Sequence, residues 1–304
     1  MSARTGGRVG AWVALLRARH WIKNLFVLAP LLFSQQFRQL GPCGRGLLAF
    51  GAFCLAASAV YVLNDVCDRR EDQQHPVKRR RPVAAGQVGA GEALLVCGVL
   101  AGSGVALGAW AGGRFLLLLW LYLAAGAVYS LGLKHVAILD VMAIAAGFVL
   151  RILGGSAAIA VTPSHWLILC TIMISLFLGF TKRRAELTDE AGTGEATRKV
   201  LADYSVTFLD QAIAIVTGAT IVCYALYTVD AHTVALVHTR ALLLTAPVVL
   251  YGLFRYLYLV YHLQRGGDPT TALWRDGAML ATLWLWVLLS AVIVSRPGWF
   301  SGWW

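Results

Sequence analysis

Long apolar runs separated by short polar connections recur along the whole chain. An α-helix needs about 20 apolar residues to cross the hydrocarbon core of a bilayer. The runs predict nine transmembrane spans, at 22–40, 46–66, 90–111, 114–133, 136–160, 164–181, 206–230, 234–261 and 278–296. We therefore expect an all-α integral membrane protein, a single domain over 1–304 built from nine transmembrane helices, with its two termini on opposite faces.

The composition agrees with a membrane protein. Hydrophobic residues make up 59% of the 304 residues, charged residues make up 13%, and the mean hydropathy is +0.68. A soluble domain is about 25% charged, so a soluble globular protein, a disordered protein and a secreted disulfide scaffold are excluded. In so apolar a chain, the net charge of +11 points to lipid phosphate or a phosphorylated substrate and not to nucleic acid.

The basic residues are sorted to one side of the predicted spans. Twenty of the 26 Lys and Arg residues lie before the first span or in the connections 2–3, 4–5, 6–7 and 8–9, whereas five lie on the other side. By the positive-inside rule, the N-terminus and these connections are cytoplasmic. We thus expect a multi-pass protein of the cytoplasmic (inner) membrane with a cytoplasmic N-terminal segment at 1–20.

The acidic residues share the cytoplasmic side. Fourteen of the fifteen Asp and Glu residues, all but Asp230, fall in or beside the same connections. An anionic bilayer surface attracts only cations, so Asp clustered among Arg indicates a site where metal ions and anionic groups meet. The cytoplasmic face is therefore the expected working face, with site loops at 67–89, 182–205 and 262–277.

Three aspartates at the cytoplasmic end of the second span form the strongest motif. On a helix, Asp65, Asp68 and Asp72 fall at about 0°, 300° and 700°, within an arc of about 60°. Three carboxylates on one face repel one another unless a cation lies between them. Mg²⁺ prefers carboxylate oxygens and completes its shell with water and substrate phosphates. The spacing therefore predicts an Mg²⁺ site; the alternative is a solvated helix end.

A basic run follows the three aspartates and reads His75-Pro-Val-Lys-Arg-Arg-Arg81. We expect Lys78 and Arg81, with the two arginines between them, to hold the phosphate charge that the metal ion leaves uncompensated. An ordinary positive-inside loop is the alternative.

A second acidic pair precedes the seventh span. Asp203 and Asp210 are seven residues apart, about 20° out of register on a helix, and so on one face. Such a pair near a helix start can simply favour the helix dipole. Taken with the first motif across an approximate internal repeat, it predicts a second metal or phosphate contact, with two acidic clusters holding one magnesium diphosphate.

These motifs resemble the UbiA superfamily of intramembrane prenyltransferases, whose NDxxDxxxD signature is found here from Asn64 to Asp72. The resemblance covers nearly the whole chain. Further motifs resemble the branch of the superfamily that transfers a phosphoribosyl group. They are Arg19-His-Trp-Ile-Lys23-Asn24, His75-Pro-Val-Lys78 with Arg81-Pro82, Tyr129-Ser-Leu-Gly-Leu-Lys134, Gly147-Phe-Val-Leu-Arg151, Lys182-Arg183-Arg-Ala-Glu186 and Asp203-Tyr204 to Asp210.

The resemblance implies a fold and a reaction. It implies a UbiA-type bundle of nine helices around a central cavity open to the cytoplasmic face, with Mg²⁺ as cofactor. It also implies phosphoribosyl diphosphate as donor, a polyprenyl phosphate such as decaprenyl phosphate as acceptor, and release of diphosphate in the synthesis of a cell-wall arabinan precursor. Asn24, Asn64 and Glu186 stand within the matching motifs and are expected to contact substrate.

The remaining basic and aromatic motif residues are assigned to the substrates' phosphates and ribose. We expect Lys182, Arg183 and Lys134 to hold the 5-phosphate of the donor. Lys23 and Arg151 are expected to hold the lipid phosphate. Tyr129 and Tyr204 are expected to hydrogen-bond the ribose or a phosphate, or else to be interfacial belt tyrosines.

The position of Arg151 is energetically unfavourable, because a charge inside a transmembrane helix costs at least about 2.5–3.5 kcal/mol. Asp140 lies on the same helix face but about 16 Å away along the helix axis, so the two cannot pair directly. Arg151 either forms a structural pair with another helix or lines the substrate cavity.

Other functions share parts of this pattern. A conventional UbiA-type reaction would move a prenyl group from a prenyl diphosphate to an aromatic acceptor, using the same carboxylates. A transporter or scramblase would spread ionisable groups through the membrane midplane, whereas here Arg151 is the only deep one. The expected partners are the two phosphorylated substrates and membrane lipid, with no nucleic acid; a homo-oligomer is left open.

Overall fold

A computed structural model describes residues 3–193, 199–262 and 275–300 of the chain. Every regular element in these ranges is helical, which confirms the all-α class. Parts of the predicted loops 182–205 and 262–277 lie outside the described residues. The α-helices are α1 (Ala3–Leu16), α2 (Ala29–Phe33), α3 (Leu40–Cys67), α4 (Arg69–Gln74), α5 (Ala90–Ala109), α6 (Gly113–Leu131), α7 (Leu139–Ala158), α8 (His165–Thr193), α9 (Val206–Val229), α10 (Ala231–Val237), α11 (Ala246–Tyr261) and α12 (Gly277–Ser295).

Eight helices in the described ranges are long and apolar enough to cross a membrane. They are α3, α5, α6, α7, α8, α9, α11 with the 3₁₀ turn before it, and α12. The first predicted span, 22–40, is not one of them, so the predicted count of nine is not confirmed. That stretch consists of a 3₁₀ helix at Ala18–Leu28, then α2, then a 3₁₀ turn at Gln36–Arg38. Two features divide it: Pro30 cannot donate a backbone hydrogen bond, and Gln35 has a left-handed backbone (φ 57°).

The contacts group the described residues into two compact units, one holding 3–163 with 199–200 and the other holding the rest. In the first unit, α3 is the central helix and packs against α5, α6, α7 and the 3₁₀ helix Ala18–Leu28. Small residues such as Ala49, Ala52 and Ala56 are fully buried on it, and they let neighbouring helices approach closely.

Aromatic rings complete this core. Phe53 on α3 meets Phe115 and Tyr122 of α6 edge to face, with ring centroids 5.7 and 5.3 Å apart. This arrangement suits the charge distribution of aromatic rings. The site residues at the end of α3 are therefore carried by the most deeply packed helix of the unit.

One glycine allows the broken N-terminal stretch to lie against α7. A Cβ added at Gly155 would overlap the carbonyl oxygen of Val27 and lie 2.8 Å from its carbonyl carbon. Backbone atoms cannot move aside as a flexible side chain can. Gly155 therefore sets the position of the segment that carries Lys23 and Asn24.

In the second unit, α8 pairs with α9, while α11 contacts α9 and α12. Polar side chains join the apolar helices at one point. Trp286 Nε1 of α12 donates to Tyr224 Oη of α9 at 2.7 Å, and Tyr224 Oη lies 2.6 Å from Thr245 Oγ1. Partners of this kind are needed because no water reaches buried polar groups in a bilayer.

We expect Gly155→Ala to destabilise the protein by about 1–3 kcal/mol, the usual cost of overpacking. Gly102→Ala on α5 is the matched control, because a Cβ there meets nothing within 4 Å and alanine favours a helix by about 0.5–1 kcal/mol. Unfolding in mixed micelles, followed by tryptophan fluorescence, measures both. Equal stability of the two variants would contradict the close approach.

Candidate active site

The three aspartates of the first motif are buried at the end of α3. Asp65, Asp68 and Asp72 are only 1%, 7% and 3% exposed. Helical hydrogen bonding continues through the junction of α3 and α4, since the Asp68 N–H donates to the Asn64 carbonyl and the Asp72 N–H to the Asp68 carbonyl, both at 2.8 Å. The predicted helical spacing therefore holds, whereas a solvated helix end does not describe these residues.

Two arginines neutralise the outer pair of aspartates. Arg81 Nη1 lies 2.6 Å from Asp72 Oδ2 and 3.2 Å from Asp65 Oδ1. Arg17 Nη2 forms a second ion pair with the same Asp65 oxygen, and its guanidinium lies 5.2 Å from the Tyr61 ring centroid. Asp65 and Asp72 therefore face a common cation, as residues on one helix face should.

Lys134 neutralises the middle aspartate. It lies in the 3₁₀ turn Leu133–His135 after α6, is 5% exposed, and pairs with Asp68 Oδ1 through its ammonium group. Asn64 Nδ2 donates to the other oxygen, Asp68 Oδ2, at 2.8 Å. The structure thus brings the predicted residues Asn64, Arg81 and Lys134 to the aspartates.

Burial shapes the electrostatics of this cluster. Burial raises the pKa of Asp72 above its usual value, and the Arg81 guanidinium and the Lys78 charge oppose that rise. Burial likewise lowers the pKa of Arg17, and Asp65 opposes that change. Because an isolated buried charge is costly, Asp72 depends on Arg81, and Arg17 on Asp65, to remain ionised.

The donor set fits a hard divalent cation. In the described ranges, no three His, Cys, Asp or Glu side chains are arranged to hold a metal ion, and the three aspartates each face an Arg or Lys instead. Their oxygens are nevertheless the ligands that Mg²⁺ prefers. Asn64 Oδ1 adds a buried oxygen with no hydrogen-bond partner. Asn64, Asp65, Asp68 and Asp72 are therefore the residues that would hold Mg²⁺.

Arg151 lies deep in α7 and has three neutral partners. It is 5% exposed and donates to Asn24 Oδ1 at 2.7 Å, to the Gly147 carbonyl at 2.9 Å and to Tyr122 Oη at 2.8 Å. Its guanidinium also lies 4.7 Å from the Tyr122 ring centroid. None of the described ion pairs joins it to a carboxylate, so within that part of the chain the structural ion pair left open above is not found and no carboxylate compensates its positive charge.

The Lys182 to Glu186 motif lies near the end of α8 in the second unit. Arg183 is 1% exposed, and its Nη1 lies 2.5 Å from Glu186 Oε2. Lys182 is half-exposed, with Nζ 3.8 Å from Glu186 Oε1. Glu186 therefore accepts both cations, a role that the sequence motif did not specify.

The second acidic pair does not share a helix face, which corrects that expectation. α9 begins at Val206 with Ser205 as its N-cap, and Asp203 ends the separate 3₁₀ turn Lys199–Asp203. Asp203 is exposed, whereas Asp210 accepts from Arg184 Nε at 2.5 Å and from Tyr261 Oη at 3.0 Å. The helical register failed because Ser205 starts the helix between the two aspartates. Their metal-binding role stays a prediction.

The other predicted residues are placed as follows. Lys23 lies half-buried in the 3₁₀ helix Ala18–Leu28, and Lys78 lies half-buried in the turn Lys78–Arg80. Tyr129 lies half-buried near the end of α6. Tyr204 is buried and stacks on Phe208, with ring centroids 6.0 Å apart.

Sequence reasoning missed three residues of these clusters. Arg17 lies two residues before the motif that begins at Arg19, and the sequence identifies it only as one of the basic residues that orient the chain in the membrane. Tyr122 lies inside an apolar span, where a tyrosine gives no signal of its own. Arg184 stands within the Lys182 to Glu186 motif, but its partner Asp210 is 26 residues away.

Comparison with known proteins identifies the class. The pattern of the UbiA prenyltransferase family matches residues 25–275. The chain therefore belongs to the UbiA prenyltransferase family, and the resemblance drawn from its motifs is confirmed. It is 35% identical to a decaprenyl-phosphate phosphoribosyltransferase of Mycolicibacterium smegmatis over 223 residues, 72% of this chain and 70% of the relative. It is 36% identical to one of Mycobacterium tuberculosis over 224 residues, 72% of this chain and 74% of the relative.

Solved structures show the same fold. A UbiA homologue from Archaeoglobus fulgidus bound to GPP and Mg²⁺ has a TM-score of 0.68 at 16% identity and covers 94% of this chain and 97% of its own. Digeranylgeranylglyceryl phosphate synthase has a TM-score of 0.63 at 14% identity and covers 95% and 96%. This chain is thus a membrane enzyme of the UbiA superfamily, similar to decaprenyl-phosphate phosphoribosyltransferases.

Lys134→Met should destabilise the protein by about 3–5 kcal/mol, because it leaves the Asp68 carboxylate buried without its cation. Adding Asp68→Asn should recover most of that loss, since the remaining side chain is then neutral. Lys182→Met is the control: its pair with Glu186 is long and half-exposed, and such pairs contribute about 0–1 kcal/mol. Denaturant unfolding in micelles tests the set; additive losses in the double variant would contradict the pairing.

Proposed function

We propose that this enzyme transfers the 5-phosphoribosyl group from phosphoribosyl diphosphate to a polyprenyl phosphate such as decaprenyl phosphate, releasing diphosphate. The reaction depends on Mg²⁺, takes place at the cytoplasmic side of the cytoplasmic membrane and supplies a precursor of cell-wall arabinan. The names of the relatives support this choice of substrates. The observation that carries it is the cluster of three buried carboxylates at the junction of α3 and α4, paired with Arg17, Arg81 and Lys134.

The cluster suits the departure of diphosphate. Breaking the bond at C1 of the ribose builds positive charge on the sugar and negative charge on the leaving group. Bound Mg²⁺ supplies electrostatic stabilisation of that negative charge. Arg81 already stands beside Asp65 and Asp72 and is held in place by them, so it can bind diphosphate oxygens without large movements of the backbone. Groups fixed in this way lower the barrier more than mobile ones.

The acceptor needs little activation. A phosphate monoester has a second pKa of about 6, so at neutral pH it is mostly a dianion and already a nucleophile. The enzyme's task is to bring this anion to an anionic donor. A dedicated general base is not required.

The uncompensated charge of Arg151 fits the acceptor phosphate. A guanidinium has five N–H donors, and the neutral partners of Arg151 accept three of them. The remaining donors and the unbalanced charge favour an anion. We assign the lipid phosphate to Arg151 with Lys23, whose segment also carries Asn24.

The donor's 5-phosphate is assigned to Lys182, Arg183 and Lys134. Glu186 holds Arg183 in place, so it acts on the phosphate through that arginine. Tyr129 and Tyr204 are assigned to the ribose or a phosphate, and Asp203 and Asp210 to a second metal or phosphate contact. Among these, Asp210 is already paired with Arg184.

A conventional prenyl transfer is the second candidate. Two structures with the same fold contain GPP and Mg²⁺ or DMAPP and Mg²⁺, and a prenyl diphosphate would use the same carboxylates. The two reactions differ in which substrate carries the diphosphate.

Purified enzyme supplied with Mg²⁺ and each donor in turn separates the two reactions. We expect diphosphate release and a phosphoribosyl lipid from phosphoribosyl diphosphate with decaprenyl phosphate. Turnover of a prenyl diphosphate alone would refute this choice.

Asp68→Asn and Asp72→Asn should each lower kcat by at least about 100-fold, since even outer-sphere partners of metal ligands are worth 10–100-fold. Asp230→Asn is the control, because Asp230 caps α10 and an amide oxygen keeps that cap.

Arg151→Met should raise the KM for the lipid phosphate about tenfold or more, because hydrogen bonds to charged groups contribute about 1.5–3 kcal/mol. The KM for phosphoribosyl diphosphate should change little. Arg151→Lys, which keeps the charge but not the planar fork, should fall between the wild type and the methionine variant. Equal increases in both KM values would assign Arg151 to packing instead of acceptor binding.

A further inference from the structure

Arg17 has an unusual backbone for a side chain of its size. It stands between α1 and the 3₁₀ helix Ala18–Leu28 with φ 50° and ψ 41°, in the left-handed region. This conformation costs a residue other than glycine roughly 1–2 kcal/mol. Conformations of this kind persist only where the surrounding structure fixes them, and they cluster at functional sites. The backbone of Arg17 therefore points to a functional role for its side chain.

The packing of α1 maintains this conformation. Ala11 and Leu15, which lie six and two residues before Arg17, are buried in a cluster that includes Ala59 and Val62 of α3. On the other side, Trp21 Nε1 donates to Ser58 Oγ at 3.0 Å, and Ser58 Oγ donates to the Leu16 carbonyl at 2.7 Å. Both flanks of Arg17 are thus anchored to α3, and its guanidinium is directed to Asp65.

Arg17 shares its carboxylate oxygen with another cation. Both Arg17 Nη2 and Arg81 Nη1 contact Asp65 Oδ1, although Arg81 also has Asp72 as a closer partner. Two guanidinium groups on one oxygen repel each other, and each additionally loses hydration by burial. Arg17 is held less firmly than Arg81, because Asp65 is the only carboxylate that Arg17 pairs with among the described ion pairs.

We propose that Arg17 is an exchangeable counter-ion of Asp65. It neutralises this carboxylate when no divalent cation is bound, and it turns to the diphosphate of the donor when a divalent cation takes the carboxylate. The inference rests on the proposed use of a diphosphate donor, whichever group that donor carries.

Charge balance favours the exchange. The three carboxylates Asp65, Asp68 and Asp72 are matched by the three cations Arg17, Arg81 and Lys134. A divalent cation on the carboxylates adds positive charge to a balanced cluster, so the displaced guanidinium needs a new anion. The diphosphate that accompanies the metal ion supplies one, and an arginine fork matches the geometry of its oxygens.

When Arg17 is removed, the affinity for a divalent cation should rise and the affinity for diphosphate should fall. Arg17→Gly is the variant of choice, because glycine adopts a positive φ at no steric cost and the fold should be kept. Mn²⁺, as the probe for the divalent site, should bind about fivefold or more tightly to this variant, since a competing ion pair is gone. Inorganic diphosphate in saturating Mn²⁺ should bind about tenfold more weakly, since a charged hydrogen-bond donor is gone.

Electron paramagnetic resonance of free Mn²⁺ and calorimetry with diphosphate, both in micelles, measure the two affinities. Arg17→Lys should change both in the same directions by smaller factors, and it provides a second test if the glycine variant does not fold. Arg19→Gln is the matched control, because Arg19 lies in the same segment and is exposed; neither affinity should change.

If the role of Arg17 were only structural, its removal would weaken the binding of both Mn²⁺ and diphosphate, or would leave both affinities unchanged. Either result overturns the exchange. Loss of diphosphate binding with unchanged Mn²⁺ affinity also overturns it, because Arg17 would then bind substrate without competing for Asp65. Neither measurement depends on the group that is transferred. A failure of phosphoribosyl transfer would therefore leave the exchange intact, and a failure of the exchange would leave the proposed reaction intact.

Discussion

Three carboxylates buried at the end of one transmembrane helix are the constraint on which the rest of the first unit depends. A buried carboxylate without a partner is costly, so Asp65, Asp68 and Asp72 require cations from elsewhere in the chain. Arg17 comes from the segment after α1, Arg81 from the loop after α4, and Lys134 from the turn after α6. One electrostatic requirement thereby fixes the position of three connections around α3.

The same requirement links stability to function. Ion pairs in a low-dielectric setting gain little net stability over apolar packing, so folding alone explains poorly a cluster in which three carboxylates and Lys134 are buried. The reaction proposed above explains it better, because that reaction calls for carboxylates that receive a divalent cation and for basic groups that receive phosphate. The ion pairs that the structure shows hold these charged side chains at defined positions beside one another.

Arg151 presents the opposite case. Its partners Asn24, Tyr122 and the Gly147 carbonyl satisfy hydrogen bonds but not charge. The fold therefore tolerates an unbalanced guanidinium within the span α7. The close approach of the Asn24 segment to α7, which Gly155 permits, is what makes this tolerable, because it brings a carbonyl oxygen to the arginine. Among the described ion pairs, the aspartates at the end of α3 have cationic partners, whereas Arg151 has no carboxylate partner.

The sequence by itself determined the all-α class, most of the spans, the family and the shared helix face of Asp65, Asp68 and Asp72, because these depend on local periodicity and on motifs within a few residues. It did not determine the partners. Arg17 pairs with Asp65 across 48 residues and Lys134 with Asp68 across 66, and no local pattern encodes such distances. The N-terminal break of 22–40 and the helix start at Ser205 were also decided by tertiary structure. In both places, capping, proline and packing outweighed the apolar periodicity from which the helices were predicted.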